Sequence, residues 1–272
     1  MAVSITQTAN PAGVAAASTV ATYTDAAIGT AHPNRIVVVL VGSELASTPI
    51  ASCTLGGSAM NAGTQGNQGA VYARAFYLAY PTGTTATVEV TFTTNSPSDT
   101  QNHIAVYNVS DGAYSSEGSD VTTDAKDDLL TTGSTTIAAG GGMIAIASFA
   151  ADTTARTWSN LTGDLDVDAG GFRFTTATST TAGAATRTCT GDNNEDGAMS
   201  WLIFIDLTPS ASISPSASVS PSASVSPSAS ISPSASASAS VSPSASVSAS
   251  VSPSASISPS ASISPSASVS AS

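Results

Sequence analysis

Two short runs constrain this chain more than any other feature: RIVVVLV at residues 35–41 and SWLIFI at residues 200–205. Beyond Arg35 and Ser200 both are apolar on both parities, so neither face of such a segment belongs in water, and each is too short for a helix of ordinary length. They read as interior strands buried on both faces. Around them, the first 207 residues alternate short β-prone runs with Gly, Pro, Asn and Asp turns, and no window carries a 3.6-residue apolar period. In TATVEVTF, Val88, Val90 and Phe92 alternate with Glu89 and Thr91, giving one face to a core and one to water. VSITQT, STVATYT, ASCTLGG, AVYARAFYLAY, HIAVYNV, MIAIASFA, GFRFTTAT and ATRTCT are further strand candidates. The expected fold is all-β: an antiparallel, jelly-roll-like β-sandwich over residues 1–207. The interval DGAYSSEGSDVTTDAKDDLLTTGS (111–134) is the longest one rich in turn formers and reads as the link between two halves of one sandwich. NPAGVAAAST (10–19) leaves room for a helical turn.

From residue 210 to residue 272 the composition changes completely. Ser occupies every even position, and Ala, Val, Ile and Pro share the odd ones, most often as a six-residue unit. Pro at this spacing sits poorly in a β-ladder, which argues against a β-helix. As an extended strand the segment carries all its apolar groups on one face, free to seal against sibling chains; as polyproline II it carries them on three faces and has no apolar stripe. Without charge or aromatics, one such chain cannot offset its ordering entropy by burial. Residues 208–272 are therefore expected to form an extended spacer or stalk, and 63 residues at ~3.1 Å each reach roughly 200 Å. The serines are expected acceptors for O-glycans of the mucin type.

The 18 acidic and 6 basic residues, a net charge of −12, all lie at or before Asp206. Arg35, Arg74, Lys126, Arg156, Arg173 and Arg187 are scattered, so the chain offers no electrostatic footprint for a phosphate backbone or an anionic lipid surface. Nucleic acid and membrane are not expected partners. MAVSITQTANPAGVAAASTVATYTD has neither a basic n-region nor an uninterrupted apolar h-region, and no later run approaches the roughly 20 apolar residues of a membrane-spanning helix. A body rich in Thr, Ser, Ala and Gly that lacks a secretory signal suits a particle released by lysis. The expected location is a virion made in the host cytoplasm, the alternative being the extracellular space or the cell surface.

Motifs for chemistry are sparse. There is no Gly-x-Ser-x-Gly, His-Glu-x-x-His, Cys-x-x-Cys or Walker sequence. AAGGGM (138–143) precedes a strand rather than a helix and reads as a turn. His32 and His103 lie outside motif distance of a nucleophile, and Cys53 and Cys189 read as small buried apolar residues. Two acidic clusters stand out. In DNNEDG, Asp192, Asn194 and Asp196 match the opening of a calcium loop and form the candidate metal site, although Ile203 stands where the loop's bidentate Glu belongs. In DLDVD, Asp164, Asp166 and Asp168 would share one strand face and repel unless solvated or metal-bound. A glycan-degrading enzyme needs a carboxylate pair in a cleft, and only this second cluster offers one. The expectation is that the chain is not an enzyme and holds no cofactor other than the calcium considered at residues 192–197. Asn108 (NVS) and Asn160 (NLT) match the N-glycan pattern by coincidence in a chain read as unsecreted.

The segments AAIGTAHPNRIVVVLVGSE, CTLGGSAM, AYPTGTTATVEVTFT, IAVYNVSD, IAAGGGMIAIASF and WSNLTGDLDVDAGGF follow one another through most of residues 20–207. In that order they resemble an uncharacterised group of β-rich virion or tail-associated structural proteins of tailed bacteriophages and prophages. The resemblance implies a β-sandwich on a virus particle and supplies no catalytic residues. The expected function is a virion structural protein, a capsid decoration, head-fibre or tail-associated subunit. Its expected partners are other virion proteins, copies of itself and host-surface glycans. The alternative is a bacterial surface or secreted carbohydrate-binding adhesin or filament subunit with a mucin-like stalk.

Overall fold

A computed structural model describes residues 2–11, 19–44, 49–94, 101–122, 129–150, 155–168, 172–190 and 196–207, all within one compact unit. Among these residues there is no helix. They form eighteen strands: β1 (Ser4–Ala9), β2 (Val20–Ala27), β3 (Arg35–Glu44), β4 (Ile50–Leu55), β5 (Ser58–Ala59), β6 (Asn61–Ala62), β7 (Gly66–Gln68), β8 (Val71–Ala79), β9 (Thr85–Phe92), β10 (Asn102–Ser110), β11 (Gly112–Thr122), β12 (Leu129–Ile137), β13 (Gly142–Ala150), β14 (Thr157–Ser159), β15 (Thr162–Asp168), β16 (Phe172–Ser179), β17 (Gly183–Thr190) and β18 (Gly197–Asp206). Every pairing is antiparallel. The described residues are all-β and β-sandwich-like.

The strands build four sheets. Sheet A has the order β1-β10-β3-β8-β6, with β7 also on β8; sheet B is β2-β9-β4-β5; sheet C is β11-β18-β13-β16-β15; sheet D is β12-β17-β14. Substituting β11 for β1, β12 for β2, β13 for β3, β14 for β4, β15 for β6, β16 for β8, β17 for β9 and β18 for β10 turns A into C and the first three strands of B into D. Residues up to Ser110 and residues from Gly112 onward are thus two copies of one topology, joined by Asp111 alone, whose φ of 59° turns the chain from sheet A into sheet C. Even local irregularities recur. A bulge interrupts β2 between Tyr23 and Ala26 around Asp25 (φ 54°), and another interrupts β12 between Thr131 and Ser134 around Gly133 (φ 62°).

Three apolar clusters separate four layers in the sequence B, A, C, D. Val37, Val39 and Val41 of β3 face sheet B and pack with Val88, Val90, Cys53 and Leu55. Val38 and Leu40 of the same strand face sheet C and pack with Ile144, Ile146, Phe172 and Phe174. Met143, Ala145, Ala147 and Phe149 of β13 face sheet D, meeting Leu130, Ile137 and Cys189. This stacking is why RIVVVLV and SWLIFI are apolar on both parities. β3 and β18 are interior strands of inner sheets, buried on both faces along most of their length, with Ile205 emerging into solvent at the end of β18. The alternation of β9 places Val88, Val90 and Phe92 inside, because sheet B is an outer layer.

In the central layer pair, β13 faces β3, β18 lies over β8, and Tyr107 of β10 reaches Thr176 of β16 at 2.6 Å. Exchanging the two halves leaves β13 on β3 and relates β18 over β8 to β10 over β16, where the strands approach less closely, so the arrangement is an approximate version of an isologous dimer. Close approach here requires Gly42. An added Cβ would stand 2.5 Å from both Phe174 Cδ2 and Ser148 Oγ.

Residues 111–134, expected as a linker between two halves of one sandwich, instead contain β11 and the start of β12. Their small polar residues read as turns because β11 is an edge strand whose side chains are largely half-buried or exposed. Residues 12–18 of the NPAGVAAAST segment and the whole of residues 208–272 lie outside the described residues.

Candidate functional site

The second half presents two adjoining grooves where sheets C and D meet. The connection between them starts in TWSNLTG: β14 edges sheet D, Asn160 takes a left-handed turn (φ 60°), and β15 resumes at the edge of sheet C. Trp158 stands opposite Cys189 and is half-buried against the cluster between C and D. Its indole N–H donates to Thr175 Oγ1 at 2.9 Å, and the Thr175 hydroxyl donates to the Leu165 carbonyl at 2.8 Å. A groove of about 270 Å³ opens here, lined by Arg156, Trp158, Asp166 and Thr175 among others.

The structure separates the carboxylates of DLDVD. A one-residue bulge between Gly163 and Leu165 rotates Asp164 out of the alternation, and its carboxylate accepts from Tyr107 Oη at 3.1 Å and Thr178 Oγ1 at 3.2 Å. Burial pushes the Asp164 carboxyl up, and those two hydrogen bonds oppose the rise. Asp166 turns the other way and accepts from Arg173 Nε at 2.6 Å, Arg173 Nη2 at 2.7 Å and the Arg156 backbone N–H at 3.1 Å. This forked pair holds the Arg173 guanidinium above its usual range. The expectation of three carboxylates on one strand face is therefore corrected. The bulge flips one of them, and Arg173, which stands opposite Asp168 on β16, reaches diagonally to neutralise Asp166.

Of the calcium-loop residues, Asp192 and Asn194 lie outside the described residues. Asp196 is described. Its carboxylate covers the turn at Gly69, where an added Cβ would come within 2.0 Å of Asp196 Oδ2, and its carbonyl accepts from Ala150 N–H at 3.0 Å. Among the described residues, no three His, Cys, Asp or Glu side chains converge to hold a metal ion.

Cys53 and Cys189 are free and buried in separate clusters, and burial pushes both thiols up. They fill core space, as their strand parity suggests. His103 is 7% exposed and tilted against Phe174 at 5.5 Å between centroids, and burial lowers its pKa. His32 lies 3.7 Å from Asp111 at the junction of the halves. Residues 138–143 form the turn into β13, with Gly140 at φ 74°. Asn108 is 9% exposed inside β10 and donates to the Thr30 carbonyl at 3.2 Å, whereas Asn160 sits at an exposed turn.

The second groove, about 440 Å³, follows the β14–β15 turn and the β16–β17 connection and is lined by Asn160, Thr162, Ser179, Thr181 and Arg187 among others. Arg187 was not singled out by sequence as a site residue. The signal for it is present in ATRTCT, where Arg187 shares inward strand parity with the buried Cys189. Against known family models, curated proteins and solved structures, the chain has no match.

Proposed function

We propose that this chain is a structural subunit of a bacteriophage particle, a capsid decoration, head-fibre or tail-associated protein, with its Ser/Pro segment projecting as a stalk. The observation that carries the reading is the strand order. In each half the first strand of the inner sheet lies beside the last, then the third, and the second strand of the outer sheet lies beside the penultimate, then the fourth. This is the order of a jelly roll, an architecture that recurs in viral capsid and lectin domains. Two such units fused through their inner sheets present two outer, Thr-rich faces and several sheet edges for docking to particle proteins or to further copies. The acidic body and neutral hydroxyl-rich stalk suit a surface that meets solvent.

Mass spectrometry of purified particles tests the reading. The expected result is tryptic peptides from residues 1–207 at a stoichiometry comparable to other particle proteins. The same measurement on intact protein reads the stalk: excess mass in hexose-sized steps confined to residues 210–272 marks a sugar coat. An unmodified stalk resistant to protease only in the oligomer marks a bundle. Peptides found in the host surface or medium fraction and missing from particles overturn the proposal in favour of the adhesin reading, which the groove beside Arg187 favours on its own account.

For residues 192–197 the proposal is calcium binding by Asp192, Asn194 and Asp196. Millimolar calcium is expected to raise the melting temperature and chelator to reverse it, since a ligand that prefers the native state stabilises that state. Replacing Asp192 and Asp196 with Ala removes the response. A wild type indifferent to calcium leaves these residues as solvated loop acids.

A further inference from the structure

Arg187 is 2% exposed, yet no carboxylate among the described residues pairs with it. Its Nη1 donates to Thr135 O at 3.0 Å, Thr135 Oγ1 at 2.8 Å and Ala185 O at 3.1 Å, while its Nε is buried without a partner. A buried cation with no counter-charge is costly, and the fold does not require one here. The first half proves the point. Ile28 donates to Thr84 at the end of β2, just as Ile137 stands opposite Gly183 at the end of β12. In the same alignment Val90, between Ala21 and Cys53, matches Cys189, between Leu130 and Trp158. Two residues back, Arg187 occupies the place of Val88, which is fully buried in its own cluster.

The ends of the two halves differ in the same way. In the first, Arg35 opens β3 and binds the carbonyls of Ile28, Gly29, Tyr80 and Thr82, which knits the two neighbouring connections shut. The second half has Gly142 at the opening of β13, and its corresponding end holds the groove of about 440 Å³, rimmed by the polar side chains of Asn160, Thr162, Ser179 and Thr181. Arg187 lines an open groove whose rim carries hydroxyl and amide groups, a setting suited to a carboxylate carried on a polyhydroxylated molecule. The net charge of −12 disfavours a multiply charged anion at such a site.

We propose that this groove binds the carboxylate of an acidic sugar, with Arg187 as the anion-recognising residue and the rim of Asn160, Thr162, Ser179 and Thr181 contacting the sugar hydroxyls. The inference concerns the groove alone and stands whether or not the protein resides on a virus particle. Titration of the full-length protein with D-glucuronate, followed by NMR, tests it. The expected result is saturable shifts of amides in residues 160–162 and 179–187, with D-glucose and inorganic phosphate each at least about tenfold weaker. Equal binding of glucose would overturn carboxylate recognition, equal binding of phosphate would overturn the sugar class, and no saturable shift would overturn the site. Arg187→Val, which copies the first half, is expected to fold and to weaken glucuronate binding by about tenfold or more, because replacing a buried charge by an apolar residue is often neutral for stability. Arg187→Lys keeps the charge and removes the fork. It is expected to fold and to lose affinity as well, so the proposal stays testable if the valine variant does not fold, and undiminished binding by the lysine variant would overturn the role given to the guanidinium.

Discussion

Replacing Phe174 with Ala is expected to lower the thermal midpoint by roughly 10 °C, because large-to-small changes at buried aromatics cost about 3–5 kcal/mol and a domain of this size loses about 2–4 °C per kcal/mol. Phe174 is fully buried between the inner sheets, where it meets the cluster containing Val38, Leu40, Tyr107 and Ile146. The surrounding backbone is locked in two ladders, so the site collapses little around the cavity. Gly42 supplies the control. Its valine variant inserts side-chain atoms where the Phe174 ring and Ser148 Oγ stand at 2.5 Å from the ideal Cβ, an overpacking expected to cost about 1–3 kcal/mol. Combining Gly42→Val with Phe174→Ala places the new methyl groups in the new cavity, so the double variant is expected to cost less than the sum of the singles. Denaturant or thermal unfolding of the four proteins checks this. Additive costs would mean that the two side chains do not meet across the central layer.

Much of the fold is legible in single strands. RIVVVLV and SWLIFI announce burial on both faces, and both are interior strands of inner sheets. TATVEVTF announces one wet face and lies in an outer sheet. The doubling is not legible, because the matched positions keep their environment and not their residue type: Cys53 answers to Trp158 and Val88 to Arg187. Edge strands are also hidden. In β11, GAYSSEGSDVT alternates small polar residues that resemble turn formers, and its strand character comes from the ladder with β18, not from its own propensity.

The candidate site was legible in part. The acidic strand DLDVD is visible, but alternation alone cannot show that a bulge sends Asp164 to Tyr107 while Asp166 meets Arg173. Arg187 carries a signal in its parity with Cys189, yet a lone basic residue in a Thr-rich strand reads as solvated until the layers on both sides are known.

Dividing the chain at Asp111 has the largest expected effect of any change. A fragment of residues 1–110 bares Val38, Leu40, Ala105 and Tyr107, and a fragment of residues 111–272 bares Ile144, Ile146, Phe172, Phe174, Leu202 and Phe204. Each of these inner faces is an apolar patch of the kind that soluble monomers seldom expose. In the intact chain the two faces fill a single apolar cluster, so they are complementary in the manner of dimer subunits. Native mass spectrometry of the two fragments, expressed separately and together, reads the outcome directly. Two sheet pairs fused through their inner sheets predict a one-to-one complex on co-expression and self-association or precipitation of either fragment alone. Two fragments that each stay monomeric and folded, and that ignore one another when mixed, would contradict it.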